Sequence, residues 1–186
     1  MPRRGVKALR QVAEWRFEFG RRAAAIEGGV QILCGSTDAS GSMVTFRRVQ
    51  DEEDLRRCLD VRLRVFVEEQ EVPASEELDA YDAVAEHFLA ECRGCVLGTA
   101  RMVDLGDGVG KIGRVAVLRE WRGKGIGRAL MEFVLAHAEG RFDVLILDAQ
   151  VPVIAFYEKL GFEAEGEVFL DAGIPHRRMR RAFPRS

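Results

Sequence analysis

The chain has 186 residues, 47% of them hydrophobic, and a formal net charge of −2 at pH 7. This length corresponds to one domain with at most a short appendage, and the apolar content is enough for a packed core. The low net charge excludes a bulk attraction to nucleic acid, and no apolar run approaches the ~20 residues of a membrane span.

Residues 1–42 are more basic than the rest of the chain. They carry seven Lys or Arg against four Asp or Glu, a net +3 that leaves −5 for the remainder. Residues 1–26 have the periodicity of an amphipathic helix. Residues 28–42 are rich in Gly, Ser and other small residues, which predicts a linker.

We therefore interpret residues 1–42 as an appendage without a catalytic role, followed by a folded domain of residues 43–184. Three origins remain open for the appendage: an organelle-targeting helix, a helix that docks on the domain or a partner, or sequence upstream of a true start at Met43. Glu14 and Glu18 disfavour targeting, since targeting helices are poor in acids. The protein is therefore expected to be cytoplasmic.

The first elements of the domain are predicted to be a strand and a helix. Val44 and Phe46 alternate with polar residues, as in a half-buried strand. Asp51 is a suitable N-cap for a helix whose apolar side includes Cys58. On this helix Arg62 is expected to extend to the surface. An acidic loop or short helix follows.

The pattern Cys92-Arg93-Gly94-Cys95 lies between two strand-like runs, residues 84–91 and 96–105. It predicts the two-residue turn of an antiparallel hairpin. Zinc would need a second pair or histidines nearby in sequence, and a redox pair would lie at a helix start. We therefore expect reduced cysteines and no metal.

A Gly-rich turn is the most informative motif. The apolar run Val115–Leu118 leads to Arg122-Gly123-Lys124-Gly125-Ile126-Gly127, and helical periodicity follows. A helix that opens on glycines presents unpaired N–H groups and a positive dipole end, and both attract phosphate. Arg122, Lys124 and Arg128 add positive charge. The turn predicts a site for a phosphate-bearing small molecule.

Two alternatives remain open for this turn. The glycines could serve only the close packing of strand and helix. A dinucleotide-binding loop would place Gly-x-Gly-x-x-Gly directly after the strand, with an acid about 20 residues later, near Asp148. The spacing here is Gly-x-Gly-x-Gly and the turn does not follow the strand directly, which disfavours that alternative.

The rest of the chain predicts a strand, a helix and two further strands. Val144–Asp148 is short and apolar, which predicts burial on both faces. Pro152 suits the first turn of a helix and Gly161 its C-terminal cap. Residues 162–169 and 175–181 form a predicted antiparallel pair. The order of elements indicates an α/β fold with a mixed, largely antiparallel sheet.

The Arg-Gly-x-Gly-x-Gly turn after a Val-x-Val strand resembles the acyl-CoA-binding motif of the GNAT acetyltransferase superfamily. Further motifs, over about residues 43–181, are similar to its ElaA-like branch. They are Val65-Phe66-Val67-Glu68-Glu69-Gln70, Glu77, Asp79, Asp82, His87, Ile112-Gly113-Arg114-Val115, Ala149-Gln150, Phe156-Tyr157-Glu158-Lys159-Leu160-Gly161-Phe162 and Gly173-Ile174-Pro175-His176. The resemblance implies a GNAT-like sheet flanked by helices, with a splayed central strand pair and a bulge near Arg114-Val115.

The resemblance also implies roles for residues. Tyr157 matches the general acid that protonates the departing thiolate, with a core aromatic as the alternative. His176 lies near the acceptor side as a candidate base, and His87 is a second candidate or a structural histidine. The residues expected to hold acetyl-CoA, the co-substrate, are Val115, Ala116, Val117, Arg122, Gly123, Lys124, Gly125, Ile126, Gly127, Arg128 and Gln150. The acids expected mainly at a solvated surface are Glu69, Glu77, Asp79 and Asp82.

The sequence thus predicts an acetyl-CoA-dependent N-acetyltransferase in which an amine attacks the thioester directly. The alternative is a catalytically silent acyl-CoA-binding module that acts through a partner. A small-molecule or peptide amine is the expected acceptor, and no nucleic-acid partner is expected. The general base, the acceptor and the formation of a homodimer stay open.

Overall fold

The computed structural model describes residues 23–26, 29–33 and 43–183. Within them, nine strands form one sheet. They are β1 Ala23–Ile26, β2 Gly29–Leu33, β3 Met43–Arg48, β4 Glu86–Cys92, β5 Cys95–Asp104, β6 Val109–Val117, β7 Val144–Gln150, β8 Glu163–Asp171 and β9 Ile174–Ala182. Their order is β1-β2-β3-β4-β5-β6-β7-β9-β8, and every neighbouring pair is antiparallel except β6 and β7. The predicted mixed, largely antiparallel sheet is confirmed.

The helices lie between β3 and β4, between β6 and β7, and between β7 and β8. Asp51 caps the first of them as predicted, because its side chain accepts the Asp54 N–H. This helix continues without a break into a π-helix. The helices are α1 Glu52–Arg62, the π-helix Leu63–Glu69, α2 Ala74–Glu77, α3 Ile126–Ala138, α4 Ile154–Glu158, and 3-10 turns at Ala80–Ala83, Arg119–Trp121 and Val151–Val153. None of the helices in the described residues is long and apolar enough to cross a membrane.

Different helices cover the two faces of the sheet. On one face, apolar residues of α3 such as Leu130 and Val134 pack at three- and four-residue spacing into the main core. On the other face, α1 and the π-helix bury Cys58, Val61 and Val65 against β4, β5 and β6. The helices on that second face reach β6, so the layer there is centred on the β4–β6 half of the sheet.

The central strands β6 and β7 separate along their length. Their parallel ladder joins only Val109–Lys111 and Val144–Ile146. Beyond these residues no ladder pair joins the two strands in the described structure, although β6 runs to Val117 and β7 to Gln150. The splayed central pair is therefore confirmed.

A bulge in β6 lies where the splay begins. Thr99 of β5 pairs with Ala116 and Arg101 with Gly113, so Arg114 and Val115 together face a single residue of β5. Two residues against one is the count of a β-bulge, which bends the strand and increases its twist. Arg114 has the left-handed φ of 53°, which is unusual for a residue other than glycine. The bulge stands at the predicted position and turns β6 away from β7.

The predicted hairpin is also confirmed. Cys92 and Cys95 pair directly across its turn. Arg93, at φ 50°, and Gly94, at φ 76°, have the positive values that a two-residue hairpin turn requires. The Cys-x-x-Cys pattern therefore belongs to the turn.

The structure differs from the sequence prediction in β1 and β2 and in the burial of β7. Strands β1 and β2 occupy residues predicted as the end of a helix and as linker, because their backbones extend the sheet beyond β3. The prediction is wrong for these residues, and the rest of residues 1–42 lies outside the described part. In β7, burial on both faces is also wrong: Leu145 and Leu147 are buried, whereas Ile146 and Asp148 are only half-buried.

A chain starting at Met43 is expected to fold with lower stability than the full chain. Val44 and Phe46 are buried with residues of β4 and α3, which the truncation keeps. Loss of β2 leaves one edge of β3 unpaired, and unpaired edges promote aggregation. We expect a lower Tm, more light scattering on heating and an unchanged affinity for CoA. An insoluble product would contradict the boundary at Met43.

Candidate functional site

The gap between the splayed ends of β6 and β7, called the cleft below, is lined by strand backbone. The Leu118 N–H donates to the Leu97 carbonyl, and Ala116 pairs with Thr99. Bonded and non-bonded positions alternate along an antiparallel ladder. The backbone groups of Val117 therefore point away from β5 and into the cleft, and Val115, in the bulge, lies directly before this alternating stretch. This arm of the cleft can pair with an extended ligand as a further strand would.

The Gly-rich turn closes one end of this arm and opens α3. Gly123, at φ 72°, and Gly125, at φ 80°, are both left-handed, and Gly125 is the N-cap of α3. A Cβ at Gly123 would meet nothing within 4 Å, and one at Gly127 only a Val117 methyl at 3.5 Å. The glycines thus serve the backbone conformation and open access to it, which disfavours the alternative of close strand–helix packing. The first N–H groups of α3 suit an anion.

Arg122 is tied to the strand that the turn follows. Its Nε donates to the Val117 carbonyl at 2.8 Å, and its Nη2 lies 2.9 Å from the Glu69 carboxylate. The guanidinium side chain is still 43% exposed. Since a guanidinium has five N–H donors, these contacts leave donors for an anion at the turn.

The remaining residues of the turn divide between core and surface. Ile126 is buried in the main core and anchors the start of α3. The Lys124 ammonium lies 4.6 Å from the centroid of the Trp121 ring. Arg128 donates to Glu132 at 2.8 Å along α3. Positive charge therefore surrounds the turn, although both basic side chains already have protein partners.

Tyr157 lies in α4, shortly after β7, and is 8% exposed. Its ring packs edge-on against Phe156 and Phe162, with centroids 4.9 and 6.0 Å away. It belongs to the core against which Val115 and Val117 pack. Burial raises the pKa of its hydroxyl, so Tyr157 is neutral at physiological pH. Phe156 is half-buried and packs against the same core.

Gln150 and His176 pair across β7 and β9 and share one face of the sheet. The His176 Nδ1 lies 2.8 Å from the Ile174 carbonyl. Since a carbonyl can only accept, Nδ1 carries the hydrogen, and Nε2 of the neutral ring keeps its lone pair. The ring stacks on Phe169. The Gln150 amide donates to Gln70 at 2.8 Å.

A buried cluster of arginines and carboxylates, which the sequence analysis missed, lies beside the cleft. Arg62 is fully buried, with Nε 2.5 Å from Glu77 and Nη1 2.6 Å from Asp82. Arg101 lies 2.7 and 2.8 Å from Asp79 and Asp82. The expected surface position of Arg62 is wrong, because its charge is matched inside the protein. The expected solvated surface is wrong for Glu77, which is buried, whereas Asp79 and Asp82 are half-buried and paired with arginines.

This cluster connects to the bulge. Arg114 Nε lies 3.1 Å from Glu77 Oε2, and its Nη2 lies 3.1 Å from Asp79. His87 is also buried, with Nε2 3.0 Å from the Asp82 carbonyl, and burial lowers the pKa of its imidazole. A neutral, enclosed ring supports the structural role for His87 over that of a base.

Comparison with known proteins identifies relatives over most of the chain. The model of the family described as "Acetyltransferase (GNAT) family" matches residues 53–162. The uncharacterised N-acetyltransferase YjcF of Bacillus subtilis is 39% identical over 132 residues, which cover 70% of this chain and 94% of YjcF.

Solved structures resemble this chain as well. An acyl-CoA N-acyltransferase from Pseudomonas aeruginosa has a TM-score of 0.69 and 35% identity, covering 75% of this chain and 99% of its own. Escherichia coli ElaA has a TM-score of 0.68 and 28% identity, covering 75% and 99%. The resemblance stated from the sequence motifs is thereby confirmed.

Replacement of Arg62 by Met is expected to lower the free energy of unfolding by about 3–5 kcal/mol, because Glu77 and Asp82 lose the partner of a buried charge. Arg64→Met, two residues further along, is the matched control. Its guanidinium is exposed and 3.5 Å from Glu120, so it should cost at most about 1 kcal/mol. Urea denaturation measures both.

The loss of unfolding free energy caused by Arg62→Met should become smaller at acidic pH. Although burial opposes it, the contacts with Arg62 and Arg101 lower the pKa of Asp82. A lowered carboxyl pKa stabilises the fold above the unfolded value of 3.8, and that contribution disappears as the pH falls toward the folded value. Equal losses in the two variants, or a loss independent of pH, would contradict the buried cluster.

Proposed function

The chain belongs to the acetyltransferase (GNAT) family and is an acyltransferase, and on that premise we propose that it transfers an acetyl group from acetyl-CoA to an amine. One observation carries the proposal. A strand whose backbone points into a gap leads through one 3-10 turn to a Gly-rich helix N-terminus, which suits a molecule with an amide-bearing arm and a pyrophosphate.

The residues present fit this co-substrate. The extended pantetheine arm would pair with the backbone of Val115 and Val117 in the cleft. The phosphate oxygens of the co-substrate would accept hydrogen bonds from the backbone N–H groups of Gly125, Ile126 and Gly127. The missing Cβ of a glycine allows close approach there. Arg122 would add a charge-assisted contact. When bound, the thioester supplies an activated acetyl group and a thiol leaving group.

Direct attack by the amine is favoured over a covalent enzyme intermediate. A cysteine nucleophile reacts as the thiolate. Cys58 lies on the buried side of α1 with no exposed surface, and burial raises its pKa to about 11. It therefore stays a neutral thiol at physiological pH, which favours the amine as the group that forms the new bond to the acetyl carbon.

His176 is the proposed base for the amine. Its Nδ1 is committed to the Ile174 carbonyl, so Nε2 is the nitrogen that can take a proton. Through its pairing with Gln150 the ring lies beside the end of β7, on the face opposite the main core. The proton leaves the amine as the N–C bond forms.

Tyr157 is the proposed partner of the departing sulfur. A thiol has a pKa of about 8.5, below that of a tyrosine whose pKa is raised by burial. Proton transfer from Tyr157 to the sulfur is therefore uphill even after the C–S bond breaks. Tyr157 thus acts as a hydrogen-bond donor that stabilises the developing thiolate, and it gives up its proton only as it recovers one from solvent.

The experiment that tests the proposal follows thiol release from acetyl-CoA with a panel of polyamines, amino acid derivatives and peptides. Turnover with an amine supports the enzyme. Binding of CoA without turnover of any amine would favour the alternative of a silent acyl-CoA-binding module. A rise in Tm with NAD but not with CoA would contradict both and favour the dinucleotide site.

Gly125→Glu is expected to abolish CoA binding, because it places a side chain and a negative charge where phosphate must approach the backbone. Gly94→Glu is the matched control. Gly94 lies in the β4–β5 turn with a similar φ of 76°, and a Cβ there would meet nothing within 4 Å. Calorimetry with CoA measures both. Normal affinity in folded Gly125→Glu would contradict the phosphate site.

Tyr157→Phe is expected to lower kcat by about 10²-fold, the low end of the range for general acid catalysis, because a thiol is a good leaving group. The KM for acetyl-CoA should hardly change, since the loss falls on the transition state. The control is Tyr81→Phe, which removes the hydroxyl of an exposed tyrosine. Full turnover in Tyr157→Phe would show that another group supplies the proton.

A further inference from the structure

The C-terminal end of the π-helix lies across the open end of the cleft. Its last residue, Glu69, contacts the β6 side through Arg122, and the next residue, Gln70, contacts the β7 side through Gln150. No ladder pair joins β6 and β7 at this end in the described structure. Two adjacent residues therefore bridge strands that have no backbone bond to each other.

The contact on the β6 side orients Arg122. The Glu69 carboxylate lies 2.9 Å from Nη2, while Nε donates to the Val117 carbonyl at 2.8 Å. Arg119 also approaches Glu69, at 3.4 Å. With two edges of the guanidinium committed, its remaining N–H donors have a fixed direction. Because the Arg122 side of the Glu69–Arg122 pair is exposed, the pair adds little to stability, and its main effect is to orient the guanidinium.

The contact on the β7 side holds the end of that strand. Gln150 is the last residue of β7, and its amide donates to the Gln70 side-chain oxygen at 2.8 Å. This is a hydrogen bond between residues 80 positions apart in the chain. It ties the end of β7 to the helical layer that covers β4, β5 and β6.

The backbone of this segment is held in an unusual conformation. A π-helix of seven residues is rare, and such segments occur often at functional sites. Glu71, directly after the bridging residues, has a left-handed φ of 59°. At the other end of the π-helix, Arg62 is fixed in the buried cluster. The position of Glu69 and Gln70 is thus determined from both sides.

We propose that Glu69 and Gln70 form a strap that positions Arg122 and Gln150 and sets the width of the cleft for the transfer reaction. This proposal rests on the proposed function, because it assigns the strap to the same acyl-CoA site. The two residues act through their partners, as positioning residues. By linkage, a ligand that seats between the strands and engages Arg122 stabilises the strap, and the strap strengthens binding of that ligand to the same extent.

The test uses CoA as the probe and four variants of the full chain. Glu69→Gln removes the charge that orients Arg122. Gln70→Leu removes the oxygen that accepts from Gln150, and Gln70→Glu keeps an acceptor there. Glu120→Gln is the matched control. Glu120 lies in the 3-10 turn Arg119–Trp121 and pairs with Arg64 of the π-helix at 3.5 Å, with both side chains exposed.

The CoA affinity of each variant is measured by calorimetry. Amide hydrogen exchange of residues 63–72 is measured with and without CoA. In the wild type, CoA should slow exchange in this segment. Glu69→Gln should weaken CoA binding about tenfold, the value of one charge-assisted hydrogen bond. In Gln70→Leu, CoA should no longer slow the exchange of residues 63–72, whereas in Gln70→Glu it should still do so. Glu120→Gln should match the wild type in both measurements.

Three results would overturn the strap. They are unchanged exchange of residues 63–72 when CoA binds the wild type, wild-type affinity in Glu69→Gln, and equal behaviour of Gln70→Leu and Gln70→Glu. A wild-type protein that binds no CoA would overturn the proposed function itself, and the strap with it. The two failures are therefore distinguishable.

Discussion

The loss of pairing between β6 and β7 is the constraint on which the rest of this structure depends. Buried backbone N–H and C=O groups need partners, so a sheet that opens in its middle must satisfy them in another way. Here each strand keeps its outer neighbour, β5 for β6 and β9 for β7. The inner edges are left facing each other, and they are the reason that an extended, amide-bearing molecule suits the cleft.

The bulge that produces this opening is held by charges. A left-handed residue other than glycine costs about 1–3 kcal/mol, and Arg114 adopts this conformation while its side chain reaches Glu77 and Asp79. The same acids bind Arg62 and Arg101. Buried ion pairs add little net stability after desolvation, but their geometry is demanding. We interpret the cluster as the device that fixes the bulge and the acidic loop relative to each other.

The proton chemistry of the proposed site follows from burial. Tyr157 is enclosed and stays neutral, which makes it a donor to a developing negative charge. His176 is half-buried and has one nitrogen committed to a backbone carbonyl, which leaves the other as an acceptor. In the proposed reaction, a proton would therefore enter at the tyrosine side and one would leave at the histidine side. This direction matches a reaction that takes a proton from an amine and gives one to a sulfur.

The sequence by itself determined the order of the strands and helices within residues 43–183, the hairpin at Cys92–Cys95, the capping Asp51 and the Gly-rich turn. These depend on local periodicity, turn chemistry and capping, which act over a few residues. It placed Arg62 at the surface, since helical spacing beside Cys58 does not show which distant acids will neutralise a buried charge. Only the tertiary structure brought Glu77 and Asp82 to Arg62, and Gln70 to Gln150. Such contacts form between residues far apart in the chain, and the folded backbone rather than any local preference decides them.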